Sequence, residues 1–303
     1  MGVAMLAPLD ELAAEVGDSD PVVAVGGRTQ FDIGGAVAAG AREVRVPGGI
    51  VEHVPAEMTV RVRAGTPVAE LDAALAAEGQ CVALPSWEGA TVGGVLAVGQ
   101  SGIRRLGWGP VRDAVLEVRY VSADGTLVKG GGPTVKNVSG YDLPRLFVGS
   151  LGTLGVMAEF VLRTRPLPMC EQWYVATDGT DPVALLHALY RPTAIVWDGT
   201  TTWVLLDGHP DDVAVQARNA ELIASDQSAL PVRPAHRWSL PPAELRSLPD
   251  DGRGPFVAEV GVGVVHRELP QPARPVDPSV AALRARVKAA FDPTGRLGPG
   301  RRV

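Results

Sequence analysis

The chain has 303 residues, enough for two domains, and its 46% apolar and 20% charged residues belong to a folded globular protein rather than a disordered one. Twenty-eight basic residues against 34 acidic ones leave a net charge of −6, so no cationic surplus exists to neutralise a nucleic-acid backbone. The two cysteines, Cys81 and Cys170, lie far apart and form no CxxC, so neither a disulfide framework nor a zinc cluster is suggested.

In chain order, "MGVAMLAPLDELAAEVG" meets Asp10 and Glu11 before an apolar core could complete, so no secretory signal is expected. No run reaches the roughly 18 apolar residues that a membrane span requires. A cytoplasmic protein without direct membrane insertion is the expectation. Val22 to Val25 read as a buried strand followed by the glycine turn "GGRTQ". Such a turn aims backbone N–H groups into one concavity that suits an anion, and Arg28 adds charge beside it; an ordinary tight turn is the other reading. "REVRVP" and "TVRVRAG" alternate as half-buried strands do. A helix follows, with Thr66 as N-cap, Pro67 at its first position, Val68, Leu71 and Leu75 on one face, and Gly79 beyond its end.

From Leu84 to Gly109 the chain is dense in glycine and small residues, without a helical period over its whole length. "DAVLEVRYVSADGTLVKGG" reads as a hairpin turning at Asp124-Gly125, with Leu116, Val118 and Tyr120 on one face and Glu117 and Arg119 on the other. A second small-residue run leads into the strand "VMAEFVLRTRPLP", and the prolines mark a domain boundary near 166–168. Beyond it, "EQWYVAT", "DPVALLHALY", "TAIVWDG", "TTWVLLDG", "DDVAVQARNAELIA" and "PFVAEVGVGVVH" follow as strand, helix, strand, strand, helix, strand. That order is the split βαββαβ, ferredoxin-like unit. A Pro-rich linker, 270–278, precedes a last helix and the tail "DPTGRLGPGRRV".

No GxGxxG follows a strand, no Walker A lysine is present, "GQSGI" misses the GxSxG elbow, and His53, His187, His209, His236 and His266 show no metal-binding spacing. What remains is a glycine turn and two small-residue runs in one domain. Glycine is unfavourable in regular elements, so this density argues for close approach of backbone to a large flat ligand, and a flavin dinucleotide is one.

These segments resemble a known family. "VGGRTQ" is similar to the pyrophosphate loop of the vanillyl-alcohol oxidase-type (PCMH) FAD-binding proteins, and the stretch from "ATVGGVLAVGQSGI" to "VMAEFVLRTRP" resembles the rest of that domain. "KNVSGYDLPRLFVGSLGTLG" is most similar to the FAD-binding subunits of bacterial glycolate oxidases. "FDPTGRLGPGR" resembles the family's FDPxGxxNPGR ending, with Gly298 where asparagine is usual. The resemblance implies an α+β fold: a PCMH-type FAD-binding domain of two α+β subdomains over 1–168, a ferredoxin-like βαββαβ cap over 169–278, and a helix and tail, 279–303, returning to the FAD domain. It implies that Gly26, Gly27, Arg28, Thr29 and Gln30 hold the pyrophosphate through backbone N–H groups, with Phe31 closing the loop. Pro85 and Ser86 then lie near the ring, which Thr91, Gly93 and Gly94 line; Ser101, Gly102 and the Gly109–Asp113 turn follow along the cofactor; Gly152 and Val156 meet the ring or ribityl chain. Relatives that attach FAD covalently use a histidine in the early loop, where Gln30 stands here, so non-covalent FAD is expected.

The implied chemistry is oxidation of a small 2-hydroxy acid such as glycolate or D-lactate by hydride transfer to flavin N5. The alternative is a non-catalytic FAD-binding or electron-relay subunit, partnered by a second flavoprotein subunit and an iron–sulfur subunit. His266, at the end of an apolar strand, is a candidate base for the hydroxyl proton or a structural histidine. Lys136, Asn137 and Tyr141 stand open between a structural role and a place near flavin or substrate. Trp87 and Trp108 are packing residues or pocket walls.

Overall fold

The computed structural model describes residues 7–132 and 142–301. They group into two compact units, one within 1–102, 110–167 and 276–303, the other within 103–109 and 168–275. Residues 103–109, assigned by sequence to the first domain, group with the second.

In chain order the first unit begins with α1 (Ala7–Val16) and β1 (Val22–Val25), which pairs in parallel with β2 (Arg42–Arg45). Then come β3 (Ile50–Val54), β4 (Thr59–Arg63), α2 (Val68–Ala77), β5 (Gln80–Cys81) and α3 (Val92–Val98). The short α4 (Arg105–Trp108) belongs to the second unit. β6 (Val115–Val121), β7 (Leu127–Gly131), α5 (Leu143–Phe147), β8 (Val156–Arg163) and β9 (Arg165–Pro166) complete the run. Five of these strands form an antiparallel sheet in the order β3-β4-β8-β6-β7.

The central strand β8 is buried on both faces, which is why its sequence is a nearly unbroken apolar run. Phe160 and Leu162 join Val68, Leu71 and Leu75 of α2 and Val92, Val95 and Leu96 of α3 in one core cluster. Val156 and Ala158 join Leu9, Leu12 and Val16 of α1, Val22 of β1 and Leu297 of the tail in another. Each of the Val, Leu and Phe side chains, fully buried, contributes about 1.5–3 kcal/mol.

Three local expectations are corrected. Thr66 is not the N-cap of α2: Pro67 occupies that position, and the fully buried Thr66 hydroxyl donates to Arg63 O at 2.7 Å and accepts from Gly49 N at 2.9 Å. The small-residue run contains a helix, α3, capped by the Thr91 side chain, which accepts from Gly94 N, and ended by Gly99 in the left-handed region. Glu117, on the polar side of the expected alternation, is buried. It is 1% exposed, because bulges beside it and after Arg119 break the alternation of β6, and Arg61 Nη1 lies 2.9 Å from Glu117 and 3.1 Å from Glu159.

The second unit contains β10 (Cys170–Val175), α6 (Pro182–Ala188), β11 (Ala194–Trp197), β12 (Thr202–Gly208) and α7 (Pro210–Asn219). It continues through β13 (Ile223–Ser225), β14 (His236–Ser239), β15 (Phe256–Glu259) and β16 (Val264–Arg267). Both of its longer helices start the same way, with Asp181 or His209 capping and proline at the first position. All paired strands are antiparallel, in the order β13-β10-β12-β11-β15-β16-β14.

The fourth strand after βαββα is therefore β13, which the sequence reading had merged into the preceding helix. Ala220 and Glu221 end that helix, Glu221 at φ 51°, and the sheet is joined two residues later at Ile223. "PFVAEVGVGVVH" is not that strand but a hairpin, β15–β16, attached to the opposite edge. Gly261 and Gly263, at φ 79° and 77°, turn the chain there, because a β-carbon on Gly263 would lie 2.2 Å from Leu240 O. The last helix, α8 (Pro278–Phe291), returns to the first unit, where the Phe291 ring meets Phe147 edge-on at 5.8 Å.

Candidate functional site

The turn after β1 is built from residues that leave no room for side chains. A β-carbon on Gly26 would sit 2.3 Å from Thr91 Oγ1, and one on Gly27 only 1.6 Å from Gly89 O. Arg28 adopts φ 59°, which reverses the chain into the 3₁₀ turn Phe31–Gly34. Among the described residues, the N–H groups of Gly27, Arg28, Thr29 and Gln30 donate to no backbone carbonyl. Unspent donors that follow one another round a turn are the donor set an anion needs.

Two overlapping clefts open beside this turn, sharing Ala24, Gly26, Thr91, Gly94, Ala97 and Leu151 as walls. Gly26 through Phe31, with Val98 and Arg301, line the first; Val46, Ala64, Gly65, Gly93, Gly152 and Met157 line the second. The floor is α3, held close by Gly93 N donating to Ala64 O at 2.7 Å. A β-carbon on Gly93 would meet Ala64 Cβ at 2.7 Å, and one on Gly65 would meet Val46 O at 2.0 Å. These glycines thus let strand, loop and helix backbones approach one another, which shapes the wall. Gly152, at φ 75° with no close neighbour, borders open cleft instead.

Of the residues singled out by sequence, Gly26, Gly27, Arg28, Thr29, Gln30, Phe31, Thr91, Gly93, Gly94 and Gly152 are brought together on these clefts. Others stand elsewhere. Val156 is 1% exposed inside the cluster around α1. Asp113 pairs with Arg145 at 2.9 Å. Ser101 Oγ accepts from Val111 N, and Gly102 lies over Pro85, whose neighbour Ser86 is exposed. Gly109 ends α4 at φ 85° in the second unit. Trp87 packs on the first core, and Trp108 Nε1 donates to Asp207 at 2.7 Å. Lys136, Asn137 and Tyr141 lie outside the described residues.

Arg28 is not the free cation that the sequence suggested. It is hydrogen-bonded to Glu43, and that partner raises its pKa further and holds the Glu43 carboxyl below the usual range. Gln30 Nε2 donates to Gln100 Oε1 at 3.3 Å, and no histidine stands in the loop. The one histidine between β1 and β4, His53, is bonded to Gln80 at 3.1 Å.

In the second unit, His266 lies on the sheet face opposite the helices, in register with Val257 on one side and Arg237 on the other. Its Nε2 is 3.6 Å from Glu259 Oε1, and both side chains are largely buried. Burial lowers the pKa of Arg237, with Glu259 opposing and Arg105 adding to the shift. No metal-ligating group of three occurs among the described residues.

Residues 9–131 match the model of the family described as FAD binding domain. The first unit carries a PCMH-type FAD-binding domain. Its loop donors, small-residue floor and cationic rim fit the dinucleotide, and the domain binds FAD. Over 163 residues the chain is 39% identical to "Glycolate oxidase subunit GlcE" of Escherichia coli, covering 53% of this chain and 47% of that one. It is 46% identical over 82 residues to a D-lactate dehydrogenase of Archaeoglobus fulgidus, covering 27% and 18%. It is 36% identical over 131 residues to "Glycolate oxidase subunit GlcD" of Bacillus subtilis, covering 42% and 27%. The match therefore spans less than half the length of each of these relatives. Alkyldihydroxyacetonephosphate synthase shares the fold over 96% of this chain and 73% of its own, with a TM-score of 0.69 at 15% identity. No helix among the described residues is long and apolar enough to cross a membrane.

Within the FAD-binding domain, sequence reasoning missed Leu151, Ala97, Met157 and above all Arg301. The first three are ordinary apolar residues whose place on the cleft depends on tertiary packing. Arg301 ends the quoted "FDPTGRLGPGR" motif, but nothing local to the tail reveals that it returns to the first loop. The same return explains Gly298: its φ of 56° is a left-handed position, open to asparagine and glycine alike.

Proposed function

We propose that this chain is an FAD-dependent oxidoreductase, or the flavin-carrying subunit of one, acting on a small 2-hydroxy acid such as glycolate or D-lactate. The observation that carries this reading is the FAD-binding cleft in a domain whose relatives are named for glycolate and D-lactate oxidation. When bound, FAD supplies a hydride acceptor at N5.

The protein's own part is orientation, charge and proton removal. Gly27 through Gln30 direct N–H groups at the cofactor's phosphates, and a loop free of histidine supports non-covalent attachment. We assign hydroxyl deprotonation to His266, with Glu259 stabilising the imidazolium across 3.6 Å. The Arg237 guanidinium, on a strand that sets it in register with His266 and with Glu259 as its opposing charge, suits a substrate carboxylate. The βαββαβ part of the second unit is read as the ferredoxin-like cap.

A second reading is an electron-relay subunit working beside another flavoprotein and an iron–sulfur protein. It is favoured by the word subunit in two relatives' names and by a chain with only two cysteines. Anaerobic mixing of the purified yellow chain with glycolate, D-lactate and related acids separates the two. Bleaching of the flavin band by the chain alone supports the oxidoreductase; colour that persists with every acid until a partner is added supports the relay.

A further inference from the structure

We propose that Arg301, from the opposite end of the chain, is the cation that meets the FAD pyrophosphate, and that residues 292–301 are the clamp that holds it there. Two arginines line the cleft beside the glycine turn, and they differ in what they are already doing. Arg28 is exposed and hydrogen-bonded to Glu43, so its charge is answered within the protein.

Arg301 is not so answered. Its Nη1 donates to Phe31 O at 3.1 Å, but its Nε is buried and has no acceptor. The guanidinium lies 4.1 Å from the Phe31 ring centroid, in the loop that carries the free N–H groups. Gly34 makes room for it: a β-carbon there would fall 2.3 Å from Arg301 Nη1. Burial lowers the pKa of Arg301, with the charge of Asp32 opposing. A cation desolvated beside spare N–H donors calls for a doubly charged oxyanion, and a pyrophosphate presents one.

The tail is fastened firmly enough to aim this side chain. Arg296 is 3% exposed and donates to the carbonyls of Val16, Gly17, Asp20 and Ala123. Asp292 accepts from Lys288 Nζ, Arg296 N and Leu297 N. Gly298 N donates to Val22 O at 2.8 Å and Ala38 N to Pro299 O at 2.8 Å, which stitches the tail to both sides of the phosphate loop.

The test is titration of FAD, ADP and adenosine into the flavin-stripped full chain, following flavin fluorescence for FAD and calorimetry for the others. R301Q is expected to weaken FAD and ADP by about tenfold or more while leaving adenosine unchanged, and R301K to fall between. R28Q is the control and should shift ADP far less. Equal ADP affinity in R301Q and wild type overturns the proposal, as does a larger loss in R28Q. Should R301Q melt well below wild type, R301K decides: partial weakening for FAD and ADP but not for adenosine supports the clamp, and unchanged ADP affinity overturns it. Because the readout is cofactor affinity, it stands or falls apart from any result with hydroxy acids.

Discussion

The two units solve the problem of building a site in opposite ways. In the first, the cleft is shaped by backbone: Gly27, Gly65 and Gly93 let main chains approach one another, and the N–H groups of Gly27 to Gln30, joined on the proposed reading by Arg301, are the donors available to the cofactor. In the second, the sheet is regular and its distinctive groups are side chains, His266, Glu259 and Arg237, set on neighbouring strands by register. A backbone site tolerates almost no added atom, whereas a side-chain site fails by losing a particular group. If the proposed roles hold, damage to the first unit is expected to appear as lost fold and lost flavin, and damage to the second as a slower reaction with the flavin retained.

The sharpest break of that contrast is Gly27→Ala. Its β-carbon would need the space of Gly89 O, so we expect destabilisation of about 3 kcal/mol or more and a colourless preparation. Gly152→Ala, strained only by its φ of 75°, is expected to cost about 1 kcal/mol and keep its flavin. Melting temperature and bound flavin per chain measure both; equal losses would dissolve the distinction between packed and open glycines.

Next in size, His266→Ala is expected to slow anaerobic flavin reduction by about 100-fold with flavin content unchanged. Glu259→Gln should reproduce part of that loss. Arg237→Gln is expected to raise the substrate KM by about tenfold, and Arg237→Lys to recover some of it. If these variants lose flavin instead, the division between the units is wrong.

A smaller effect is tied to pH. Burial pushes the Asp292 carboxyl upward, but hydrogen bonds from Lys288 and the Leu297 and Arg296 amides outweigh it and leave its pKa lowered. A carboxylate whose folded pKa lies below its unfolded one adds stability at neutral pH, and that stability fades as pH falls below the ordinary carboxylate range. D292N is therefore expected to be less stable than wild type at pH 7, with the gap narrowing in acid; denaturant unfolding across that range checks it. The least effect belongs to Arg28→Gln, an exposed pair with Glu43, which should leave melting nearly unchanged.

Much of the FAD site was legible locally, because a glycine turn after an apolar strand, "ATVGG" and "GSLGTLG" are short signals in which backbone constraint is written as residue type. The helix inside the small-residue run was not, since α3 is only seven residues and carries two glycines that helix propensity disfavours. The second unit's sheet order was missed for a related reason. Ile223–Ser225 is three residues long and abuts a helix, so pattern alone assigned it to the helix and promoted a glycine-broken hairpin in its place. Strict alternation across residues 116–120 fails because β6 carries bulges, and Val156, set beside the cofactor by resemblance, is packed in the cluster around α1 instead.

By itself, then, the amino-acid order determined where the chain must turn tightly, which faces are apolar, and that one domain accommodates a dinucleotide, since those properties follow from steric freedom and hydrophobic spacing over a few residues. Only the tertiary structure decided which charges are already matched. Arg28 and Arg301 look alike in the sequence, and they part company because one meets Glu43, 15 positions away, while the other crosses 270 positions to reach Phe31. Pairing over such distances is set by sheet register and a returning tail, and no local pattern encodes it.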